Sequence, residues 1–304
     1  MHVKFVPVDF KLNFSCPANV DANPLFVLRS MMGKNLRSMC CIARNTKCIE
    51  CMYNKSCAYA FLFETIMPQE NTILPGTDRA SHPFALSKKQ FQRENPIVNY
   101  DFTITLFGKA IEYLPYIYAA FVRSGKDGLF KGRTPFVVED VRVADNSILI
   151  EENKLSTDYE ICEWFFNVQE SKDEKQAMEI FVELRSPLRF KYGGKYGTDF
   201  TAADFMNCLF RRTKTMCSLY GDFGDEKYTS TKNLQIAEKN LRWVNYRHYS
   251  ARQKSQMELG GATGNLKIYG YFTPFELALL KFNKIANAGK NTNFGLGQLD
   301  YWKR

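Results

Sequence analysis

The chain has no run near the roughly 18 uninterrupted apolar residues a membrane-spanning helix needs, and Met1-His2-Val3-Lys4 lacks the basic-then-apolar pattern of a secretion signal. Both absences set the expectation of a cytoplasmic protein. Histidine is scarce, with three in 304 residues, so chemistry that needs an imidazole has few candidates. Neither a helix-turn-helix nor a finger pattern is present, which disfavours a DNA-binding regulator. A disordered or disulfide-stapled chain is excluded by 45% hydrophobic and 24% charged residues, the composition of a folded globule. Acid is the minority charge: 41 Lys plus Arg against 32 Asp plus Glu leave a formal +9, which attracts polyanions, RNA and DNA ahead of an acidic membrane surface.

Hydrophobic spacing gives an order of elements that occurs twice. Residues 2 to 14 alternate as a strand whose phase slips at Val6-Pro7, and Asn23-Pro24 then caps a helix on Leu25, Leu28, Met32 and Leu36. Tyr59 to Phe63 and Phe84 to Leu86 read as strand material and Tyr100 to Phe107 alternates cleanly. Gly108 to Arg123 reads as a helix kinked at Pro115, and Phe136 to Val143 with Ile148 to Ile150 as a hairpin. In the second half the strand Met178 to Leu184 precedes a capped helix from Thr201, strands at Leu241 to Tyr249 and Leu266 to Phe272, a capped helix from Thr273 and a last strand at Leu296 to Trp302. The fold class expected is α+β, with tandem ferredoxin-like (RRM-like) βαββαβ domains at 1–170 and 177–304, joined by the polar stretch Gln169 to Gln176.

Two local features stand out. Gly289, Gly295 and Gly297, with Lys290 and the amides and hydroxyl of Asn291 to Asn293, form a C-terminal glycine-rich loop (288–297). Such a loop either approaches a phosphate closely or makes a helix cap and a tight turn. Five of nine cysteines crowd into 40–57; Cys41, Cys48, Cys51 and Cys57, with Cys40 as an alternative first member, have the spacing of a tetrahedral thiolate site. Structural zinc leads, an iron-sulfur cluster would use the same ligands, and reduced thiols packed under a loop are the plain alternative.

The glycine-rich loop resembles that of the RAMP superfamily of CRISPR-associated proteins. Arg247 to Gln253 followed by Met257 to Gly264 resembles the signature of the CRISPR precursor-RNA processing endoribonucleases, and Ser186 to Lys191 is similar to the end of the first strand in their C-terminal domain. Leu28-Arg29 to Leu36-Arg37, the cysteines with Cys57 to Glu64, Thr105 to Gly108 and Leu129 to Arg133 extend the likeness through the N-terminal half. The resemblance implies a nuclease that cuts CRISPR repeat RNA into guide crRNAs by metal-independent 2′-hydroxyl attack, with crRNA as partner and in some cases an effector complex. The other reading is a crRNA-binding RAMP subunit without activity.

That chemistry needs a base, an acid and a cation. His248, beside Arg247 and Arg252, is the first catalytic candidate, His82 the second and the terminal His2 the third; Lys34 on the first helix would supply charge. Lys131, Arg133, Arg189, Lys191, Arg211, Arg212, Arg247, Arg252, Gln253 and Lys290, with Gly289, Gly295 and Gly297, are the expected RNA-binding set.

Overall fold

The computed structural model describes residues 1–67, 80–89, 95–150, 154–156, 158–167, 175–224, 227–228, 233–250 and 255–303; the side chains of 149, 150, 154, 248–250, 255 and 257 are outside that description. The chain divides into two compact units, Lys4–Glu163 and Met1–Val3 with Trp164–Arg304. The division falls beside Trp164, whose ring packs 4.8 Å from that of Phe282, while the Met1 ammonium donates to the Phe166 carbonyl. Residues 168–174, most of the expected linker, lie outside the described residues.

The first unit runs β1 (His2–Ala18), α1 (Pro24–Cys40), β2 (Phe84–Lys88), β3 (Ile97–Phe107), α2 (Leu114–Asp127) and β4 (Phe136–Val143), with the sheet ordered β2-β3-β1-β4. Neighbouring strands pair antiparallel, Phe10 opposite Phe102. Alternation in β1 and β3 puts Val8, Phe10, Leu12, Phe102 and Ile104 on the core side, and the Phe121 ring of α2 meets Phe10 at 5.0 Å. One buried polar link joins the helices: Asn35 donates to Ser124 Oγ, which donates to the Ala120 carbonyl. Asn23 caps α1 by accepting from Leu25 N–H.

The second unit repeats the order as β5 (Gln176–Leu188), α3 (Ala202–Tyr220), β6 (Leu234–Ser250), β7 (Ser255–Phe272), α4 (Pro274–Ala286) and β8 (Leu299–Lys303), with the sheet ordered β6-β7-β5-β8. Both units therefore have the ferredoxin-like strand arrangement. Thr201 with Asp204, and Thr273 with Glu276, form the expected capping boxes. A core of Ile180, Val182, Leu184, Leu266 and Ile268 meets Phe205, Leu209, Leu279 and Leu280 of the helices.

Four local expectations differ from the structure. Ala60–Glu64 is a wide helical turn, because Phe61 N–H donates to the Cys57 carbonyl and Thr65 N–H closes on Ala60. Pro115 starts α2 instead of kinking it, since a missing N–H is tolerated at the first turn; Gly108–Tyr113 is a separate 3₁₀ segment. After β4 a two-residue strand, Asn146–Ser147, makes the hairpin, and Leu149–Ile150 pairs with Lys154–Leu155. In the second unit β6 and β7 are far longer than the two predicted strands. Their ladder runs from Leu234 opposite Gly270 to Ser250 opposite Ser255, well past the last β7–β5 pair, Ala262 opposite Leu188.

Candidate nucleic-acid interface

The end of β5 is the hub of the second unit's site. Here the chain leaves the sheet at Pro187 to Lys191, and three other elements bond to it. Lys290 N–H donates to the Arg189 carbonyl at 2.8 Å and Gly297 N–H to the Pro187 carbonyl at 3.0 Å, so the glycine-rich loop is laid along the strand end. The Arg189 guanidinium donates to the Gly260 carbonyl at 2.9 Å, anchoring the base of the β6–β7 arm. Arg211 on α3 donates to the Lys191 carbonyl at 3.2 Å.

Glycine is required where these backbones meet. A Cβ at Gly261 would lie 2.8 Å from the Leu188 carbonyl oxygen, and Gly289, with φ at +74°, would bring one within 2.5 Å of the Arg189 carbonyl. Over this junction Arg189 stacks on the Tyr196 ring at 4.1 Å, Lys191 approaches the same ring at 5.4 Å, and Tyr196 stands 6.4 Å from Trp243 on β6. Lys191, Arg211 and Lys290 are exposed, as are Arg242 and Arg247 along the arm. The result is a patch where cations alternate with flat rings. Counterion release on binding backbone phosphates calls for such cations, and the stacking of unpaired bases for such rings.

Arg212, also expected at the interface, is instead fully buried. It donates to the carbonyls of Ala286 and Asn287 and to Thr292 Oγ1 at 2.8 to 3.2 Å, tying α3 to the end of α4 and to the loop; burial pushes its pKa down to about 10. Its guanidinium is a strut and no phosphate reaches it. Gly295 and Gly297 are buried too, with φ at +82° and +75°: they make the turn, and only Gly289 to Asn291 faces outward.

The first unit has a second cationic site. A cavity of about 740 Å³ is lined by Lys34 and Lys126 from the helices and Lys131 and Arg133 from the following turn, against two acids, Asp21 and Asp127. The turn is closed by reciprocal Leu129 and Thr134 hydrogen bonds, and Arg133 sits at φ +47° to make it. Lys34 pairs with Asp127 at 3.0 Å and holds that carboxyl below the usual range; Lys131 stands 3.8 Å from Asp21 and is almost fully exposed.

His82 belongs to another cluster of the first unit. Its Nε2 lies 3.2 Å from an Arg29 amino group, its Nδ1 3.4 Å from Thr65 Oγ1, and its ring stacks on Phe84 at 5.7 Å. Arg29 is half-buried over the Phe63 ring, and burial pushes its pKa down to about 10. An imidazole facing a guanidinium at this distance accepts a hydrogen bond through Nε2. Sequence reasoning missed Arg29 because a helix-face arginine looks solvated until its partners are known.

Comparison with known proteins places this geometry. Residues 3–160 match the family AF_1859_N, described as an N-terminal domain, and residues 182–299 match the family described as CRISPR-associated endoribonuclease Cas6. The match to the Cas6 family thus lies in the C-terminal part of the chain, residues 182–299. A solved Cas6 product complex is similar at TM-score 0.52 and 14% identity, covering 98% of this chain and 99% of that one. A partial Cas6-RT-Cas1–Cas2 complex is similar at TM-score 0.53 and 14% identity, covering 99% of this chain and 46% of that one. Thermus thermophilus Cas6 aligns over 99% of both chains at 14% identity with TM-score 0.49. At these identities the likeness is one of fold. No curated protein matches the sequence.

The structure brings Arg189, Lys191, Arg211, Gly289 and Lys290 together in the unit that carries this match, and Lys34, Lys131 and Arg133 in the other. Arg247 and His248 are consecutive on the projecting part of β6, opposite Glu258 and Met257; the His248 side chain, and all of Arg252 and Gln253, lie outside the described residues. His2 pairs by its backbone with Asp222. Sequence reasoning also missed Tyr196 and Trp243, which carry a faint signal: each directly follows a basic residue, Lys195 and Arg242.

Proposed function

We propose that this protein cuts the repeat RNA of CRISPR transcripts to give guide crRNAs, by attack of the substrate's own 2′-hydroxyl and without a catalytic metal. The 2′ oxygen bonds to the adjacent phosphorus, the bond to the 5′ oxygen breaks, and the products carry a 2′,3′-cyclic phosphate and a 5′-hydroxyl. One group takes the 2′ proton, another gives a proton to the leaving oxygen, and a cation stabilises the charge that builds on the phosphoryl oxygens. The candidates under test are His248 for proton transfer in one unit and, separately, His82 for proton transfer and Lys34 for charge in the other.

One observation carries the reading. In the unit that matches the Cas6 endoribonuclease model, Arg189, Lys191 and Lys290 converge with Tyr196 and Trp243 at the end of β5 beside an outward-facing glycine turn. A single-stranded RNA is the polyanion this alternation of cation and ring suits. The similar solved structures include a Cas6 product complex and Cas6-RT-Cas1–Cas2 assemblies, and we extend RNA binding, though not those assemblies, to this chain. Among the described residues no helix is long and apolar enough to cross a membrane.

The test is purified protein with end-labelled repeat RNA in EDTA, beside a copy with a 2′-deoxy residue at the cut site. Cutting is expected to persist in EDTA and to vanish on the deoxy substrate; cutting that survives the substitution overturns the mechanism. His248→Ala is expected to lower the single-turnover rate at least 100-fold, the usual range for losing general acid-base help. An unchanged rate moves proton transfer to His82. Tight RNA binding with no cutting by the wild type would favour the non-catalytic subunit instead.

A further inference from the structure

The cysteine cluster of the first unit shares no lining residue with that unit's cationic cavity. Cys40 ends α1 and Cys41 caps it, Cys48 and Cys51 bracket a single 3₁₀ turn, and Cys57 leads into the Ala60–Glu64 turn. Backbone bonds keep these turns tight: Cys51 N–H donates to the Cys48 carbonyl at 3.3 Å, Cys57 N–H to Tyr53 at 3.0 Å and Phe61 N–H to Cys57 at 3.0 Å. All five thiols are half-buried and line one cavity of about 200 Å³ together with Tyr59.

The thiols are near enough to feel one another. Burial, and then Cys57 and Cys41, raise the Cys40 pKa; burial, and then Glu64, raise that of Cys48, with Cys41 and Cys57 adding and Arg37 opposing. Neither histidine nor carboxylate lines the cavity. Among the described residues no three His, Cys, Asp or Glu side chains are already drawn together as ligands. What the fold supplies is a ring of soft donors around a space, on a loop tied at both ends. A dication that prefers soft ligands is the group such a donor set suits.

We propose that this cavity takes one Zn²⁺, held as thiolates by Cys41, Cys48, Cys51 and Cys57, with Cys40 a neighbour whose sulfur accepts from Tyr59 N–H. Four S–H protons leave to solvent as four Zn–S bonds form at ~2.3 Å, drawing the ring inward. The site then carries two negative charges, and Arg37 beside Cys48 offsets part of them. The metal is structural. It ties the end of α1 to the turn carrying Phe63, whose ring lies where a Cβ on Gly33 would come within 2.8 Å of it and stands 6.0 Å from the His82 ring. The site thereby sets the wall against which Arg29 and His82 are placed.

The experiment uses the full chain, purified with a thiol reductant and supplied with Zn²⁺ or Co²⁺. One zinc per chain by elemental analysis is expected. Co²⁺ should give the intense visible bands of tetrahedral thiolate coordination, bleached when Zn²⁺ is added. Cys51→Ser should lose both signals and Cys16→Ser neither, while stripping the wild type with a chelator should lower its melting temperature. Should Cys51→Ser fail to fold, the Co²⁺ spectrum and chelator shift of the wild type decide alone. Absence of stoichiometric metal and of a Co²⁺ spectrum overturns the site. Iron with acid-labile sulfide, or Cys48–Cys51 recovered as a disulfide from reduced and metal-supplied protein, overturns zinc. None of these readouts depends on RNA cleavage, so the outcome stands apart from the functional reading.

Discussion

The two units share a strand order, and the first helix of each carries an arginine that burial perturbs, to different ends. Arg29 on α1 and Arg212 on α3 both have pKa values pushed down to about 10 by burial. Arg212 is wholly buried and donates to two carbonyls and a hydroxyl, all groups that stay neutral at any pH a protein survives. Arg29 keeps a solvent-facing side and lies against the His82 imidazole, with Nε2 3.2 Å away. One arginine is fixed by backbone carbonyls and a hydroxyl; the other meets a side chain in a half-buried cluster. A lowered pKa therefore does not distinguish the two. The chemistry of the acceptors does.

The sharpest way to break that contrast is Arg212→Ala. It strips the donor from three buried acceptors, each of which costs ~1–3 kcal/mol when left unsatisfied, so a loss of about 3 kcal/mol or more is expected in urea unfolding. Arg212→Lys should recover little, because an ammonium lacks the planar fork. Arg29→Ala should cost clearly less; equal losses would erase the distinction between the helices.

Next in size is Gly297→Ala. A Cβ there would sit 1.8 Å from the Ala288 carbonyl oxygen at a φ of +75°, and about 2 kcal/mol of destabilisation is expected. A neutral result would mean the loop is not laid against the strand end as described.

Replacing Lys191 and Lys290 together by alanine tests the interface without the scaffold. Both are exposed, so the melting temperature should hold, while RNA affinity falls about tenfold and the salt slope drops by about 2. Unchanged affinity would remove the end of β5 from the RNA path.

A smaller effect is expected in acid. Burial raises the Asp300 pKa, but bonds from Lys284 and Tyr301 N–H, with Arg185 nearby, more than reverse this and hold it below the usual value. With the folded value under the unfolded one, the stabilisation is present above the unfolded carboxylate pKa and fades as pH falls through the folded one. Asp300→Asn should flatten that acid limb by about 1 kcal/mol or less. Smallest of all is Lys34→Ala: it releases the Asp127 carboxyl toward its ordinary range with no measurable change in stability, since both side chains are well exposed.

Much of the fold was legible because its signals are local. Asn23-Pro24, Thr201 with Asp204 and Thr273 with Glu276 each mark a helix start within four residues, and the alternation at 100–107 admits few readings besides a strand. The Tyr59 to Phe63 run misled because a short apolar stretch suits a buried helical turn as well as a strand, and only its packing on Gly33 decides. The reach of β6 and β7 was hidden for a related reason. Their ladder continues past the last pair with the neighbouring strand, and polar and glycine residues there break the alternation.

The sequence by itself determined the twofold order of elements, the helix caps, the surplus of positive charge and the crowding of thiols, all of which follow from the chemistry of neighbouring residues. Tertiary structure decided which cations face solvent, separating Lys191 and Lys290 from Arg212, and which rings join them. The reason is desolvation: whether a guanidinium meets water or a carbonyl depends on residues some 75 positions away, and no local pattern encodes that encounter.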